Sequence, residues 1–314
     1  MNPSRNLLWL VRREVWEHRS LWIAPLVMAG VILIVTLLGG VHFNDHGSFW
    51  VGTTDGNGPD LRALSPEDRE RALEAMTPKN KSIMDAVVLG VYSGISITMF
   101  VVLGIVVFFY LLDTLLAERR DRSILFWKSL PVSDGEVVTS KALTALVVAP
   151  VFVTLLSAVL LLLFAAVASL RLAQLPVSPW NAGIWFDLQV IMLGFVPMIV
   201  LWYLPIAGYL LVVSVWARKN AFLWAVLPWA ALLLIEGMIT QTTNVAQFLG
   251  NRFAGFARII GDNPHIDIDS ENGIATVYGL MGRVYGDYHI WVGAIAGLAL
   301  IYAAVRIRRY RDDS

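Results

Sequence analysis

The chain contains no cysteine, which excludes disulfide bonds, thiolate nucleophiles and cysteine-ligated metal sites and leaves the redox compartment open. Charged residues are also scarce, because they make up 15% of the 314 residues, whereas soluble domains carry about a quarter. The 24 Lys and Arg residues balance 24 Asp and Glu residues, so no net positive charge suggests nucleic-acid binding. These absences together favour a membrane protein over a soluble enzyme or a nucleic-acid-binding domain.

Several catalytic motifs are absent as well. The sequence contains no G-x-x-x-x-G-K-[ST], so it has no P-loop with which to hold ATP. It also lacks H-E-x-x-H and G-x-S-x-G, the patterns of zinc proteases and of serine hydrolases. His42, Asp45 and His46 are the one candidate metal-binding group, but their spacing matches no strong zinc pattern, so an ordinary interfacial loop is favoured. We therefore expect a chain without a catalytic site, metal or cofactor of its own.

Apolar residues are correspondingly abundant. They form 57% of the sequence, and the 12 Trp and 9 Tyr suit the aromatic belts at membrane interfaces. Six apolar runs reach the length of about 20 residues that a bilayer requires. The fold expected is therefore all-α, a polytopic membrane protein with six transmembrane helices. The expected spans cover residues 21–41, 86–116, 143–168, 188–213, 222–240 and 289–305.

The distribution of basic residues predicts the orientation. With both termini in the cytoplasm, 15 of the 24 Lys and Arg residues lie inside, and nine lie outside. The six spans form a domain over residues 21–314, with extracytoplasmic segments at 42–85 and 241–288 and a cytoplasmic loop at 117–141. Residues 61–76 of the first outer segment are expected to form a short helix and to pack against the second.

The first 20 residues predict an amphipathic helix that lies in the membrane interface. Leu8, Val11 and Val15 fall on one face, and charged residues occupy the others. We expect this helix to precede the first span without crossing the membrane.

The central cytoplasmic loop contains an apolar stretch, Ile124 to Trp127, between basic residues. Pro131 ends any helix there, and the S-x-x-E pattern of Ser133 and Glu136 predicts a capping box that starts the next helix. The exposed aromatic residues suggest either a docking surface for another protein or a loop that rests on lipid headgroups. The residues themselves leave both interpretations open.

Two acidic residues stand within or beside the expected spans. Glu236 lies about one turn from the outer end of the fifth span, where it either lines a translocation cavity or reaches the outer interface. Asp113 ends the second span and is expected to pair with a nearby Arg or Lys. Prolines within the third, fourth and fifth spans predict kinks: Pro150, Pro197, Pro205 and Pro228.

Two stretches resemble bacterial ABC-2 type transporter permease subunits. They are LVRREVWEHRSLWIAPL near the N-terminus and FFYLLDTLLAERRDRSILFWKSLPVSDGEVVTSK after the second span. The second has the family's acidic and basic residues, then Ser129-Leu130-Pro131, then Lys141. The resemblance implies a type V exporter-like (ABC-2) fold with an N-terminal connecting helix and, in this chain, enlarged extracytoplasmic segments.

The same resemblance implies partners and functional residues. Two permease copies, a homodimer by expectation, would join two ATP-binding cassette subunits that hold the ATP and Mg on separate chains in the bacterial inner membrane. Connecting-helix residues would be Arg12, Arg13, Glu14 and Trp16. ATPase-coupling residues would be Glu118, Arg119, Arg120, Asp121, Ile124, Leu125, Phe126, Trp127 and Lys128.

The expected function is ATP-driven export of a hydrophobic or amphipathic substrate, with membrane lipids and the ATPase as partners and no nucleic acid. Two other classes remain open at this stage. One is a non-transporting membrane anchor or sensor whose extracytoplasmic cap is the active part. The other is an integral membrane enzyme.

Overall fold

Long helices dominate the computed structural model, which describes residues 3–38, 40–43, 49–52, 79–123, 132–171, 179–261 and 273–310. Within these ranges the elements are α1 Pro3–Glu17, α2 Ser20–Leu38, β1 Gly40–Phe43, β2 Phe49–Gly52, α3 Lys79–Arg120, α4 Asp134–Leu143, a π-helical segment Thr144–Val148, α5 Ala149–Arg171, α6 Ala182–Trp216, α7 Ala221–Ile235, a second π-helical segment Glu236–Thr240, α8 Asn244–Gly261, α9 Gly273–Gly286 and α10 Tyr288–Tyr310.

Six of these helical stretches are long and apolar enough to cross a membrane, which confirms the expected number of spans. The observed stretches are Ser20–Leu38, Val87–Arg120, Asp134–Leu170, Ala182–Trp216, Ala221–Ile239 and Tyr288–Tyr310. The second, third and fourth stretches are 34 to 37 residues long, because each helix continues beyond the apolar run that the sequence predicts. The protein is thus a multi-span helical bundle.

A short β-hairpin follows the first span, where only turns were expected. Strand β1 pairs antiparallel with β2, and Val41 lies opposite Val51. Alternating β-branched and aromatic residues in both strands favour this extended pairing. Residues 53–78 lie outside the described part of the chain, and so does the short helix expected over residues 61–76. Its expected packing against residues 241–288 therefore stays a prediction.

The break expected at Pro150 takes the form of a widened helical turn. The backbone N–H of Ala149 donates to the Thr144 carbonyl, five residues back, rather than four. A proline has no N–H, and its ring crowds the carbonyl four residues before it, so a π-helical turn just ahead of Pro150 relieves the conflict. Helices α4 and α5 therefore form one continuous rod from Asp134 to Arg171.

Helices α6 and α10 cross closely through two glycines. A methyl group added at Gly208 would lie 2.7 Å from the Gly297 carbonyl oxygen, and one added at Gly297 would lie 2.6 Å from the Leu204 carbonyl carbon. Small residues let the two backbones approach, which is how helices gain packing energy in a membrane. This crossing brings the last helix against the centre of the bundle.

One end of the bundle lies beside α1 and contains the C-terminal ends of α3, α6 and α10 and the start of α4. We call this end the basic end. Arg119 of α3 donates to the carbonyls of Ser214 and Ala217, which end α6. In the turn that follows, Asn220 has a left-handed backbone (φ 51°), a conformation that asparagine tolerates better than most residues. The capping box expected at Ser133 and Glu136 is confirmed, with mutual bonds of 2.8 and 3.2 Å.

Candidate functional site

A buried ion pair lies at the centre of the basic end. The Lys141 ammonium of α4 lies 2.7 Å from the Glu14 carboxylate of α1, and both side chains are 1% exposed. Lys141 also donates to the Thr114 hydroxyl at 2.8 Å and lies 3.0 Å from a Glu118 carboxylate oxygen, both of α3. One ammonium thus joins three helices that come from separate parts of the chain.

A second buried cation extends this cluster to the last helix. Arg308 of α10 donates to Glu118 at 2.5 Å and to Asp134, in the first turn of α4, at 2.9 Å. Its side chain is 2% exposed. Because Glu118 bonds to both Lys141 and Arg308, the contacts form one continuous chain of charges. We call Glu14, Glu118, Asp134, Lys141 and Arg308 the ion-pair network.

Two aromatic side chains complete the surroundings of Glu14. Tyr110 donates its hydroxyl to the second Glu14 oxygen at 2.9 Å. The His18 ring packs edge-to-face on Tyr110, with centroids 4.7 Å apart, and its Nε2 lies 3.2 Å from the Thr114 hydroxyl. Burial lowers the pKa of His18 below its usual value, although the neighbouring Glu14 carboxylate acts in the opposite direction. His18 is therefore expected to be neutral near pH 7.

The network holds two buried cations, the buried carboxylates of Glu14 and Glu118 and the partly exposed carboxylate of Asp134. Replacing a whole buried pair with apolar groups is often neutral for stability, whereas removing one partner costs about 3–5 kcal/mol. Such networks therefore contribute more to a defined arrangement of helices than to net stability. Here the arrangement is that of α1, α3, α4 and α10 at the basic end.

Helical spacing explains why these charges point inward. Glu14 follows Leu10 by four residues, so both lie on the face of α1 that packs against the bundle. Lys141 follows Val137 and Val138 by four and three residues on the buried face of α4. A charged residue on an otherwise apolar helix face is the signal that identifies both positions in the sequence. The sequence patterns indicated no buried contact for Lys141 and no role for Arg308.

The expected ATPase-coupling residues divide into three groups. Glu118 is buried in the network, and Arg119 is half-buried against the end of α6. Arg120 and Asp121 are exposed, and Arg120 lies 3.9 Å from Asp113, the loose surface pair that was expected for Asp113. Ile124, Leu125, Phe126, Trp127 and Lys128 lie outside the described residues, so their expected role stays a prediction.

The expected connecting-helix residues lie on α1 with different surroundings. Arg12 is exposed, Trp16 is 71% exposed, and Arg13 pairs with Glu17 at 2.8 Å. Glu14 alone points into the bundle. Leu8, which the sequence places on the apolar face, is 70% exposed, and the position of α1 in the membrane interface stays a prediction.

Glu236 has a local partner that neither sequence interpretation included. Its carboxylate accepts the backbone N–H groups of Asn244 (2.6 Å) and Val245 (2.8 Å) and the Thr242 hydroxyl (2.8 Å). These are groups at the start of α8, whose N–H groups have no partner within the helix. Glu236 thus satisfies a helix N-terminus, and its expected role in a translocation cavity stays a prediction.

Metal binding has no support in the part of the chain that the structure describes, where no three His, Asp or Glu side chains gather in a way that could hold an ion. Asp45 and His46 lie outside the described residues, and so does the side chain of His42. Compared with protein-family models and with curated proteins, the chain matches none of them significantly. The function must therefore be argued from the architecture and the ion-pair network.

Proposed function

We propose that the chain is the membrane-spanning permease subunit of an ABC-2 type ATP-binding cassette transporter. It would move a hydrophobic or amphipathic substrate outward, with ATP and Mg bound by a separate ATPase subunit. The observation that carries the proposal is the ion-pair network, whose members Glu118 and Asp134 flank residues 124–131 in the sequence. This segment leaves α3 six residues after Glu118 and enters α4 three residues before Asp134, so network residues flank it on both sides.

The network supplies a route from that segment to the bundle. A partner that displaces residues 124–131 would displace Glu118 and Asp134 with them. Arg308 bonds to both, and Lys141 links Glu118 to Glu14 of α1. The first and last helices would therefore follow the segment. Because packed interiors switch between discrete arrangements, a shift at the segment can become a rearrangement of spans.

In this proposal the coupling residues act in two ways. Glu118 and Arg119 are engaged inside the protein, so they would transmit movement rather than touch the ATPase. Direct contact would fall to exposed Arg120 and Asp121 and to the segment from Ile124 to Lys128. Large apolar side chains at an interface contribute most of its binding energy, so Phe126 and Trp127 would be the anchors.

The same proposal places the basic end in the cytoplasm of a bacterial inner membrane, with both termini inside. Helix α7 is suited to face lipid or another subunit, because most of its apolar side chains point away from the bundle. A second permease copy, as a homodimer, is the arrangement the proposal includes.

The test is a purification of the tagged full-length chain from its native host. The wild type should bring down a P-loop ATPase and ATP hydrolysis. Phe126→Ala combined with Trp127→Ala should insert normally but lose most of the bound ATPase, because hot-spot residues contribute about 2 kcal/mol or more each. Tyr310→Ala, which removes an exposed aromatic side chain from the basic end, is the matched control and should retain the ATPase.

Two results would contradict the proposal. One is a wild-type chain that purifies without any ATPase. The other is a double variant that keeps normal ATPase binding and normal hydrolysis, which would make the central segment a loop resting on headgroups. Either result would favour the membrane anchor or sensor.

A further inference from the structure

Arg252 of α8 points into the protein at the end of the bundle opposite the basic end. Its guanidinium lies over the Trp202 ring of α6, with Cζ 5.3 Å from the ring centroid. The Trp202 indole N–H donates to the Arg252 carbonyl at 2.8 Å, which fixes α8 against α6. On the other side the guanidinium lies on Gly293 of α10, where an added methyl group would lie 3.0 Å from Cζ. A larger residue at position 293 would require the guanidinium to shift.

The guanidinium has no negative partner among the described residues. Its Nη2 nitrogen is buried without a hydrogen bond, and no described carboxylate lies at ion-pair distance. Glu236 accepts the N–H groups that start α8, and Asp287 accepts the backbone N–H of His289 at 3.0 Å. These two described carboxylates are therefore engaged elsewhere, and the acidic residues of 262–272 lie outside the described residues.

Helix geometry gives the depth of this arginine. Trp202 lies 14 residues before the end of α6, which corresponds to about 21 Å at 1.5 Å per residue. Gly293 lies 17 residues before the end of α10, which corresponds to about 26 Å. The two helices therefore place the guanidinium about 21–26 Å from the basic end. In a hydrocarbon layer of about 30 Å this is the outer third of the membrane.

A cation at this depth is costly unless an anion accompanies it. Arginine presents a planar fork of N–H donors that matches the oxygens of a phosphate group, often through two parallel bonds. We propose that Arg252, Trp202 and Gly293 form a binding site for a phosphate oxyanion in the outer half of the membrane. Its sources are the headgroup of a phospholipid or free phosphate. The proposal requires that the helices cross a bilayer with the basic end in the cytoplasm, and it does not depend on the permease function.

The surroundings favour a lipid as the source of that phosphate. Met198, Trp202, Val284 and Ile290 form a buried apolar cluster beside the site. Trp229 and Phe248 stack with ring centroids 6.3 Å apart where α7 meets α8. Apolar and aromatic groups around a single cation suit a molecule with a phosphate at one end and acyl chains at the other.

The test uses the purified full-length chain in a neutral maltoside detergent and phosphate-free buffer. Melting temperature is measured after adding dioleoyl phosphatidylglycerol, dioleoylglycerol or inorganic phosphate. We expect phosphatidylglycerol to raise the wild-type melting temperature by about 3 °C or more through selective binding to the folded state. Dioleoylglycerol, which has the same chains without phosphate, should give no such rise. A rise with inorganic phosphate alone would identify the free ion as the source.

Variants test whether the Arg252 guanidinium causes the phosphate-dependent rise in melting temperature. Arg252→Gln should abolish the phosphate-dependent rise, and Arg283→Gln, which removes an exposed arginine from neighbouring α9, should retain it. Gly293→Ala keeps the charge but displaces the guanidinium, so it should weaken the rise. Arg252→Lys tests the site if the glutamine variant fails to fold, and it should keep only part of the rise because an ammonium lacks the fork.

Three results would overturn the proposal. The first is an equal rise with phosphatidylglycerol and dioleoylglycerol in the wild type. The second is no rise with any of the three additions. The third is a phosphate-dependent rise that survives unchanged in Arg252→Gln, or in both Arg252→Lys and Gly293→Ala.

Discussion

The Lys141 ammonium lies 2.7 Å from the Glu14 carboxylate although 127 residues separate them in the sequence. This contact joins the N-terminal helix to the rod that begins at Asp134, and it is buried on every side. The first expectations concern this pair.

Removing either charge should destabilise the protein. Lys141→Met leaves the buried Glu14 carboxylate without a cation, so it should lower the free energy of unfolding by about 3–5 kcal/mol. Glu14→Gln should cost less, because Lys141 keeps the Glu118 carboxylate at 3.0 Å as a partner. The double variant should lose less than the sum of the two, because no single charge stays behind at the pair. Denaturant titration in detergent measures all three. Glu17→Gln on the same helix is the control, because its exposed pair with Arg13 should contribute about 1 kcal/mol or less.

Orientation can be tested without removing any native thiol, since the chain has no cysteine. Cysteines placed at Asp55 and Ser270 should react with an impermeant maleimide in intact cells. Cysteines at Ser133 and Asn220 should react only after the membrane is opened, because both lie at the basic end, which the charge distribution assigns to the cytoplasm. Labelling of Ser133 from outside would falsify the proposed orientation.

The glycine crossing of α6 and α10 should not tolerate a side chain. Gly208→Ala forces a methyl group to within 2.7 Å of the Gly297 carbonyl, so we expect a loss of about 1–3 kcal/mol from overpacking. Gly104→Ala on α3 is the matched control, since an added methyl group there meets no atom within 4 Å. Equal melting temperatures for the two variants would show that the helices separate without cost.

Replacing Glu236 should affect the start of α8 and leave the basic end unchanged. Glu236→Ala removes the acceptor for the N–H groups of Asn244 and Val245, so hydrogen exchange at the start of α8 should become faster. The basic end should show unchanged exchange. A variant with normal exchange at α8 but altered substrate-stimulated ATPase activity would instead favour the translocation-cavity role.

Stability should fall below neutral pH through His18. Its pKa is lowered by burial, so the folded state takes up a proton less readily than the unfolded chain. Above the unfolded-state pKa of about 6.5, His18 is neutral in both states and does not lower the free energy of unfolding. As the pH falls from about 6.5 toward the lower folded-state pKa, the free energy of unfolding decreases. The groups that act on it are Glu14, Lys141, Glu17 and Asp113.

His18→Gln should flatten the melting temperature between pH 7.5 and 5.5, relative to the wild type. His289→Gln is the control, because that ring is exposed beside Asp287. A wild-type melting temperature that is independent of pH in this window would contradict the expectation.

Local sequence patterns were enough to predict several parts of the fold. The six spans follow from apolar length, because a bilayer imposes the same requirement on every crossing helix. The capping box at Ser133 and Glu136 depends on residues three apart. Such features involve neighbours along the chain, so no tertiary information is needed.

The partners of buried charges required the tertiary structure. The sequence by itself determined that Glu14 and Lys141 stand among apolar neighbours on their helices, and that Arg308 ends the last span. Which carboxylate meets which cation was decided only by the packing of α1, α3, α4 and α10, because their contacts join residues from 23 positions apart (Lys141 and Glu118) to 190 positions apart (Arg308 and Glu118). In the same way, the inward position of Arg252 depends on Gly293, a residue of another helix that leaves the space a guanidinium needs.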